Sequence, residues 1–165
     1  MQTISDVDLH QLTTQVAKIL LERHWLLSSA ESCTGGWVAK CCTDLAGSST
    51  WFDRGVVTYS NQSKQDLLNV KADTLEQFGA VSEQTALEMA KGCLSLSGAD
   101  ISVSITGIAG PDGGSKEKPI GTVWIAWATR SCAKAELHNF SGNRDAVRRQ
   151  AVSSALNGII KNASG

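Results

Sequence analysis

The sequence predicts an α/β protein, a single layered α/β/α domain over residues 1–165 with a mixed sheet. Three observations carry this. Helical and strand-like segments alternate early in the chain, the pattern of β-α-β units with parallel strands. Three strand-like segments then cluster late, between Ile101 and Phe140, which favours antiparallel neighbours and so a mixed sheet. The chain has 165 residues and no internal repeat, low-complexity tract or linker, close to the common domain size of roughly 100–150 residues.

The elements follow in order. Ser5 opens the first helix, with Asp8 three residues on as a capping box. Leu9, Leu12, Val16, Ile19 and Leu20 then recur at helical spacing, and the stretch ends near His24. Trp25 to Ala30 reads as a short buried strand, with Glu31 to Gly36 as the turn after it. Val38, Cys41, Cys42 and Leu45 mark a second helix stopped by Gly47. Val56 to Tyr59 is rich in strand formers. Ser60 to Leu68 and Asp73 to Phe78 read as short helices. Ser82 caps a longer helix carrying Ala86, Met89, Ala90, Cys93 and Leu94, and Gly98 ends it. Ile101 to Ile105, Gly121 to Thr129 and Glu136 to Phe140 are the three late strands. A last helix runs from Asp145, with Val147, Ala151, Ala155 and Ile159 on one face.

Composition excludes several function classes. The 15 Lys and Arg nearly cancel the 16 Asp and Glu, for a formal net charge of −1. No global field is left to grip nucleic acid or an anionic membrane, so the expected partner is a small molecule. No apolar run is long enough to span a bilayer. Met1 to Asp8 carries two acids and no basic stretch, so it does not read as a secretory leader, and the chain reads as cytoplasmic. The five cysteines, Cys33, Cys41, Cys42, Cys93 and Cys132, lack zinc or disulfide spacing and read as reduced thiols, with no metal and no cofactor.

Candidate chemistry sits in turns after strands, where open α/β sheets place ligands. The first turn is Ser32-Cys33-Thr34-Gly35-Gly36. A serine there faces outward, and a helix start behind it supplies N–H donors suited to an oxyanion or a phosphate. The competing reading is that Ser32 or Thr34 merely caps the helix. Cys33 is a second, minor nucleophile candidate. None of His10, His24 and His138 is coupled by sequence to that turn. A lysine base is the alternative, and Lys64 follows a strand ending at Tyr59. A solvated helix lysine is the plainer reading of Lys64. Ser115 to Lys118 matches a serine–lysine pattern but lies in a charged loop before Pro119. The loop from Thr106 to Gly114, with Gly107 and Gly110, offers backbone donors for a phosphate or ribose; the plain alternative is a glycine-rich connection. Arg144 and Arg148 share a helix face and could clasp a phosphate or simply meet solvent. Trp51 and Phe52, beside Gly47, Ser48 and Ser49, could wall an aromatic substrate.

Read together, these segments resemble the CinA C-terminal domain family. The stretches that carry the resemblance are Ala30 to Gly36, Gly47 to Ser49, Val57 to Asn61 with Lys64, Gly79 to Ser82, Ile105 to Gly114 and Lys118 to Val123. They are long, rare and in the family's order, and they span nearly the whole chain.

The resemblance implies a metal-independent nicotinamide-nucleotide amidohydrolase. Such an enzyme hydrolyses the carboxamide of nicotinamide mononucleotide to nicotinate mononucleotide and ammonia, in pyridine nucleotide salvage. It implies Ser32 as nucleophile, with Lys64 and Tyr59 supplying proton transfers. The nucleotide phosphate and ribose then need donors, and substrate binding is expected at Thr34, Gly35, Gly36, Gly47, Ser48, Ser49, Thr106, Gly107, Gly110 and Arg144. The resemblance also implies a homodimer, with Arg144 acting in its own or a neighbouring subunit. Many relatives carry an additional N-terminal domain related to molybdopterin-binding proteins, which is not expected in this chain. Two other readings compete: a non-catalytic nucleotide-binding paralogue, and a DNA-associated accessory protein suggested by the family's competence/damage label.

Overall fold

The computed structural model describes residues 3–165. Helix α1 (Asp6–Arg23) leads to β1 (Leu27–Glu31), α2 (Trp37–Thr43), a 3-10 turn (Ser48–Thr50) and β2 (Phe52–Val57). Three helices follow, α3 (Asn61–Leu68), α4 (Ala72–Phe78) and α5 (Glu83–Leu96). Strands β3 (Ile101–Gly107), β4 (Thr122–Thr129) and β5 (Ala133–Asn139) then precede α6 (Arg144–Ser164).

The five strands form one mixed sheet in the order β2-β1-β3-β4-β5. The first three are parallel, and β4 and β5 are antiparallel additions. The predicted class therefore holds, and chain order explains the mixture. Helices separate β1, β2 and β3, so those strands cross over and run parallel. Only the short turn Arg130–Cys132 joins β4 to β5, closed by the Thr129 N–H donating to the Cys132 carbonyl at 2.8 Å. A turn that short makes an antiparallel pair.

Both faces of β3 and β4 are covered, and their side chains divide accordingly. Ile101, Val103, Ile105, Val123, Ile125 and Trp127 pack with α1, α2 and α6. On the other face Ala126 and Ala128 meet Ala86 and Ala90 of α5. There Ser102 donates to the Ala90 carbonyl at 2.7 Å and Ser104 to the Ala86 carbonyl at 2.6 Å. Alanines and hydrogen-bonded serines let α5 lie close without leaving a buried hydroxyl unpaired.

Several boundaries shift from the expectation. The capping box of α1 is present, with Ser5 accepting from Asp8 N–H at 3.2 Å and Asp8 accepting from Ser5 N–H at 2.7 Å. Strand β1 begins at Leu27 rather than Trp25, because the Trp25 N–H donates to the Leu20 carbonyl at 2.9 Å and closes the end of α1. Strand β2 begins four residues before Val56, at Phe52. Its residues Asp53-Arg54-Gly55 are poor strand formers, yet pairing to β1 from Leu27↔Phe52 to Glu31↔Val57 holds them in an exposed edge. Strand β5 starts at Ala133, fixed by its pairing with Ala128.

Candidate active site

The strand order creates a crevice. From β1 the chain leaves through α2 toward β2; from β3 it leaves in the opposite direction toward β4. Beyond the carboxyl ends of β1 and β3 lies the switch point where such sheets bind ligands. A cleft of about 250 Å³ opens there, lined by Ser32, Cys33, Tyr59, Asn61, Lys64, Thr106, Gly107, Gly110, Asp112 and Arg144 among others. The Ser32 N–H donates to the Ile105 carbonyl at 3.0 Å, tying the turn after β1 to β3.

Ser32 and Lys64 meet in this cleft. Lys64 is the fourth residue of α3, whose first turn is set by reciprocal Ser60–Ser63 capping. Its side chain runs inward rather than into solvent, and only 1% of the residue is exposed. Lys64 Nζ lies 3.1 Å from Ser32 Oγ and donates to the Thr58 carbonyl at 2.7 Å. No carboxylate pairs with it among the described residues. Burial without a counter-ion disfavours the ammonium, so its pKa falls below the ordinary 10.5. The plain reading of a solvated helix lysine is thereby overturned. Thr58 Oγ1 is buried beside this contact with no hydrogen-bond partner.

Glu31 holds the serine turn. Its carboxylate is 1% exposed and accepts from the Thr34 hydroxyl at 2.7 Å. It also accepts from the N–H groups of Gly36 and Val38, each at 3.1 Å, and Ala39 at 3.0 Å. The expected free donors at the start of α2 are therefore spent on Glu31. Gly36, with φ 97°, takes the left-handed conformation that the entry to α2 requires. Thr34 and Gly36 thus serve Glu31, and the Gly35 N–H donates to the Ser32 carbonyl at 3.0 Å. The sequence reading places Glu31 in the turn beside the serine and assigns it no role. An acid ending a buried strand, just before Thr and two Gly at a helix start, was the available signal.

Arg144 and Arg148, one turn apart on α6, separate in role. Arg144 donates to the Gly110 carbonyl at 2.8 Å and to the Tyr59 hydroxyl at 3.3 Å. Tyr59 is 64% exposed at the mouth of the cleft, and its hydroxyl meets Arg144 rather than Ser32 or Lys64. Arg148 turns toward the protein. Its Nε donates to the Cys33 carbonyl and its Nη2 to the Thr34 carbonyl, both at 3.0 Å, and its guanidinium lies 5.1 Å from the Trp37 ring centroid. Thr106 lines the cleft but spends its hydroxyl on the Ala80 carbonyl at 2.7 Å.

Gly47, Ser48 and Ser49 fall elsewhere. They precede β2, whose first residue pairs with Leu27 at the opposite end of β1 from Ser32. The run of β1 separates them from the cleft by roughly 15 Å at about 3.3 Å per residue. Trp51 is 1% exposed in the core and walls no ligand. Cys33 lines the cleft, but burial pushes its thiol up to about 11, so it stays protonated at neutral pH.

The family model described as the CinA C-terminal domain matches residues 9–163. The nicotinamide-nucleotide amidohydrolase PncC of Escherichia coli K12 is 56% identical over 154 residues, covering 93% of each chain. The protein of that name from Pseudomonas putida is 45% identical over 150 residues, 91% of this chain and 94% of its own. A competence/damage-inducible protein from Agrobacterium tumefaciens superposes with a TM-score of 0.92 at 42% identity, over 98% of both chains. A CinA superfamily protein from Klebsiella pneumoniae gives 0.91 at 43% identity, over 94% of this chain and 98% of its own. With the family model matching residues 9–163 and relatives 56% and 45% identical over 93% and 91% of its length, this chain belongs to the CinA C-terminal domain family.

Proposed function

We propose that this chain is an amidohydrolase that converts nicotinamide mononucleotide and water to nicotinate mononucleotide and ammonia. The observation that carries the reading is the contact of 3.1 Å between the buried Lys64 amine and the Ser32 hydroxyl. A serine hydroxyl is a poor nucleophile until a base takes its proton, and a desolvated lysine supplies that base. The names of the similar proteins point to the substrate.

With neutral Lys64, one N–H is held by the Thr58 carbonyl, and the lone pair accepts the Ser32 proton. Ser32 Oγ attacks the carboxamide carbon, and charge develops on its oxygen. The N–H group of Cys33 is the donor for that charge, since Cys33 lines the cleft and its N–H donates to no protein acceptor among the described residues. The tetrahedral intermediate collapses as the Lys64 ammonium returns its proton to the leaving nitrogen, and ammonia departs. A water, deprotonated by Lys64, then cleaves the ester and restores Ser32. Arg144, held at the cleft mouth by Gly110 and Tyr59, is the cation for the nucleotide phosphate. Tyr59 assists proton transfer from the same edge. Thr106, Gly107 and Gly110 shape the wall, and Thr34, Gly35 and Gly36 act through the turn they build.

The reading includes one catalytic domain over residues 1–165, a cytoplasmic location, no nucleic-acid or membrane partner and no cofactor. It also includes a homodimer, in which Gly47, Ser48 and Ser49 would reach substrate only from a neighbouring chain; sedimentation of the purified protein checks the oligomeric state. No helix of the described residues is long and apolar enough to cross a membrane.

Ammonia release from nicotinamide mononucleotide by wild type and Ser32→Ala tests the function. The expected result is release by wild type and its loss in the variant. Release at the wild-type rate by Ser32→Ala removes the nucleophile, and no release by wild type removes the reading.

A further inference from the structure

We propose that Arg148 is a positioning residue for the oxyanion hole, fixing the turn that aims the Cys33 N–H donor, and not a phosphate ligand. The inference rests on the amidohydrolase reading and extends it to a residue outside the cleft lining.

The argument is one of peptide geometry. In a trans peptide the carbonyl of one residue and the N–H of the next point in opposite directions within one plane. The peptides around the Ser32 turn are trans; the single cis bond among the described residues is Gly110–Pro111. The Ser32 carbonyl accepts from the Gly35 N–H at 3.0 Å, so the Cys33 N–H faces away from the inside of the turn. The Cys33 carbonyl accepts from Arg148 Nε at 3.0 Å, so the Thr34 N–H faces away from Arg148. The Thr34 carbonyl accepts from Arg148 Nη2 at 3.0 Å, which holds the Gly35 N–H toward Ser32 and closes the set. Two of the three planes are thus held directly by one guanidinium, and the third through Gly35.

The Cys33 N–H carries no protein acceptor among the described residues, although Cys33 is only 7% exposed and lines the cleft; Thr34 is wholly buried, so its N–H is out of a substrate's reach. Buried backbone donors without partners are rare, and an active-site role is one of the accepted reasons for one. The Cys33 N–H belongs to the turn and not to α2, where Glu31 takes the N–H groups of Gly36, Val38 and Ala39. Arg148 reaches its peptide plane through a relay, from the Thr34 carbonyl to the Gly35 N–H and on to the Ser32 carbonyl. Arg148 suits the task because its fork spans two carbonyls, and the face of Trp37 at 5.1 Å fixes the fork's plane. Both arms of the fork are committed, so the side chain has turned from the cleft that Arg144 faces.

Arg148→Lys tests this. It keeps the positive charge but cannot hold two carbonyls in one plane. The expected result is a kcat lowered about 10- to 100-fold with KM within about twofold of wild type, short of the loss from deleting an oxyanion donor outright. The affinity for nicotinate mononucleotide and the inflection of the pH–rate profile should stay at wild-type values, because neither phosphate binding nor Lys64 is touched. Arg148→Ala, assayed with and without added methylguanidine, is the second variant, and partial recovery of kcat by the additive is expected. A wild-type kcat in Arg148→Lys overturns the inference. So does a raised KM with kcat intact, which would make Arg148 a phosphate ligand. Parallel loss of kcat, product affinity and melting temperature in both variants would reduce it to a scaffold residue and overturn it equally. If wild type itself releases no ammonia, the amidohydrolase reading fails first and carries this inference with it.

Discussion

Lys64 combines the two properties a general base needs, contact with the proton it takes and a depressed affinity for that proton. Both come from one act, burying a lysine 1% exposed beside a serine and a carbonyl without a carboxylate. Its signature should appear in stability as well as in rate. Because its folded pKa lies below 10.5, the folded chain binds fewer protons than the unfolded chain between the lowered value and 10.5. Stability therefore rises with pH across that window, and below it the full burial penalty is present. Lys64→Met keeps the apolar stem and removes the titration. Relative to this variant, wild type should gain stability as pH rises toward 10.5, measured by thermal unfolding across a pH series. Ammonia release should fall at least about 10²-fold in the variant. In wild type the rate should climb with pH through the lowered lysine value.

Between residue and fold, the turn from β1 into α2 is held by charges of both signs. Glu31 grips it from the helix side and Arg148 from the α6 side. The seven residues of α2 form a helix too short to stand on local propensity, so its start depends on these partners. In Glu31→Gln the amide nitrogen would bring a donor where the carboxylate met only donors. Breaking charge-assisted bonds in a buried setting costs about 2–4 kcal/mol. At about 2–4 °C per kcal/mol for a chain this size, the melting temperature should fall well outside error, as calorimetry would show. The variant's kcat should fall too, since the serine sits on the displaced turn.

The whole molecule matters because the site draws on both sides of the sheet. Lys64 arrives from α3, which packs on α5, whereas Arg144 and Arg148 arrive from α6 on the opposite face. The distance from α6 to the sheet is set at Gly158, where an added Cβ would lie 2.0 Å from Trp127 Cζ2. The Trp127 indole N–H donates to the Ala155 carbonyl at 3.0 Å in that same contact. Gly158→Ala should recover about 1 kcal/mol of helix propensity. The clash has no flexible side chain to absorb it and costs about 1–3 kcal/mol or more, besides the indole bond. Packing wins, so the variant should unfold at lower temperature, with kcat reduced through the arginines that α6 carries. Calorimetry and an ammonia assay on the same sample check both.

How much of this was legible in the sequence follows from the range of the forces involved. Ser5, Ser60 and Ser82 mark their helix starts because a cap is a contact within four residues. The α/β class with a mixed sheet was readable because strand direction follows from whether a helix or a short turn intervenes. Motif resemblance likewise brought Ser32, Tyr59, Lys64 and Arg144 together before any distance was known. Pairing overrode propensity at β2, where Arg54 and Gly55 sit in a strand because Ser28 and Ser29 of β1 lie beside them. The same holds for partners far apart in the chain: Arg148 on the Cys33 and Thr34 carbonyls, and the crevice that leaves Gly47 to Ser49 outside. The sequence alone determined which elements form, because those follow from local contacts and residue type, and its resemblance to a family named the candidate residues. Only the tertiary structure decided that Lys64 is buried against Ser32, that Glu31 consumes the donors of α2 and that Arg148 faces the backbone, because burial and long-range pairing exist only once the layers close.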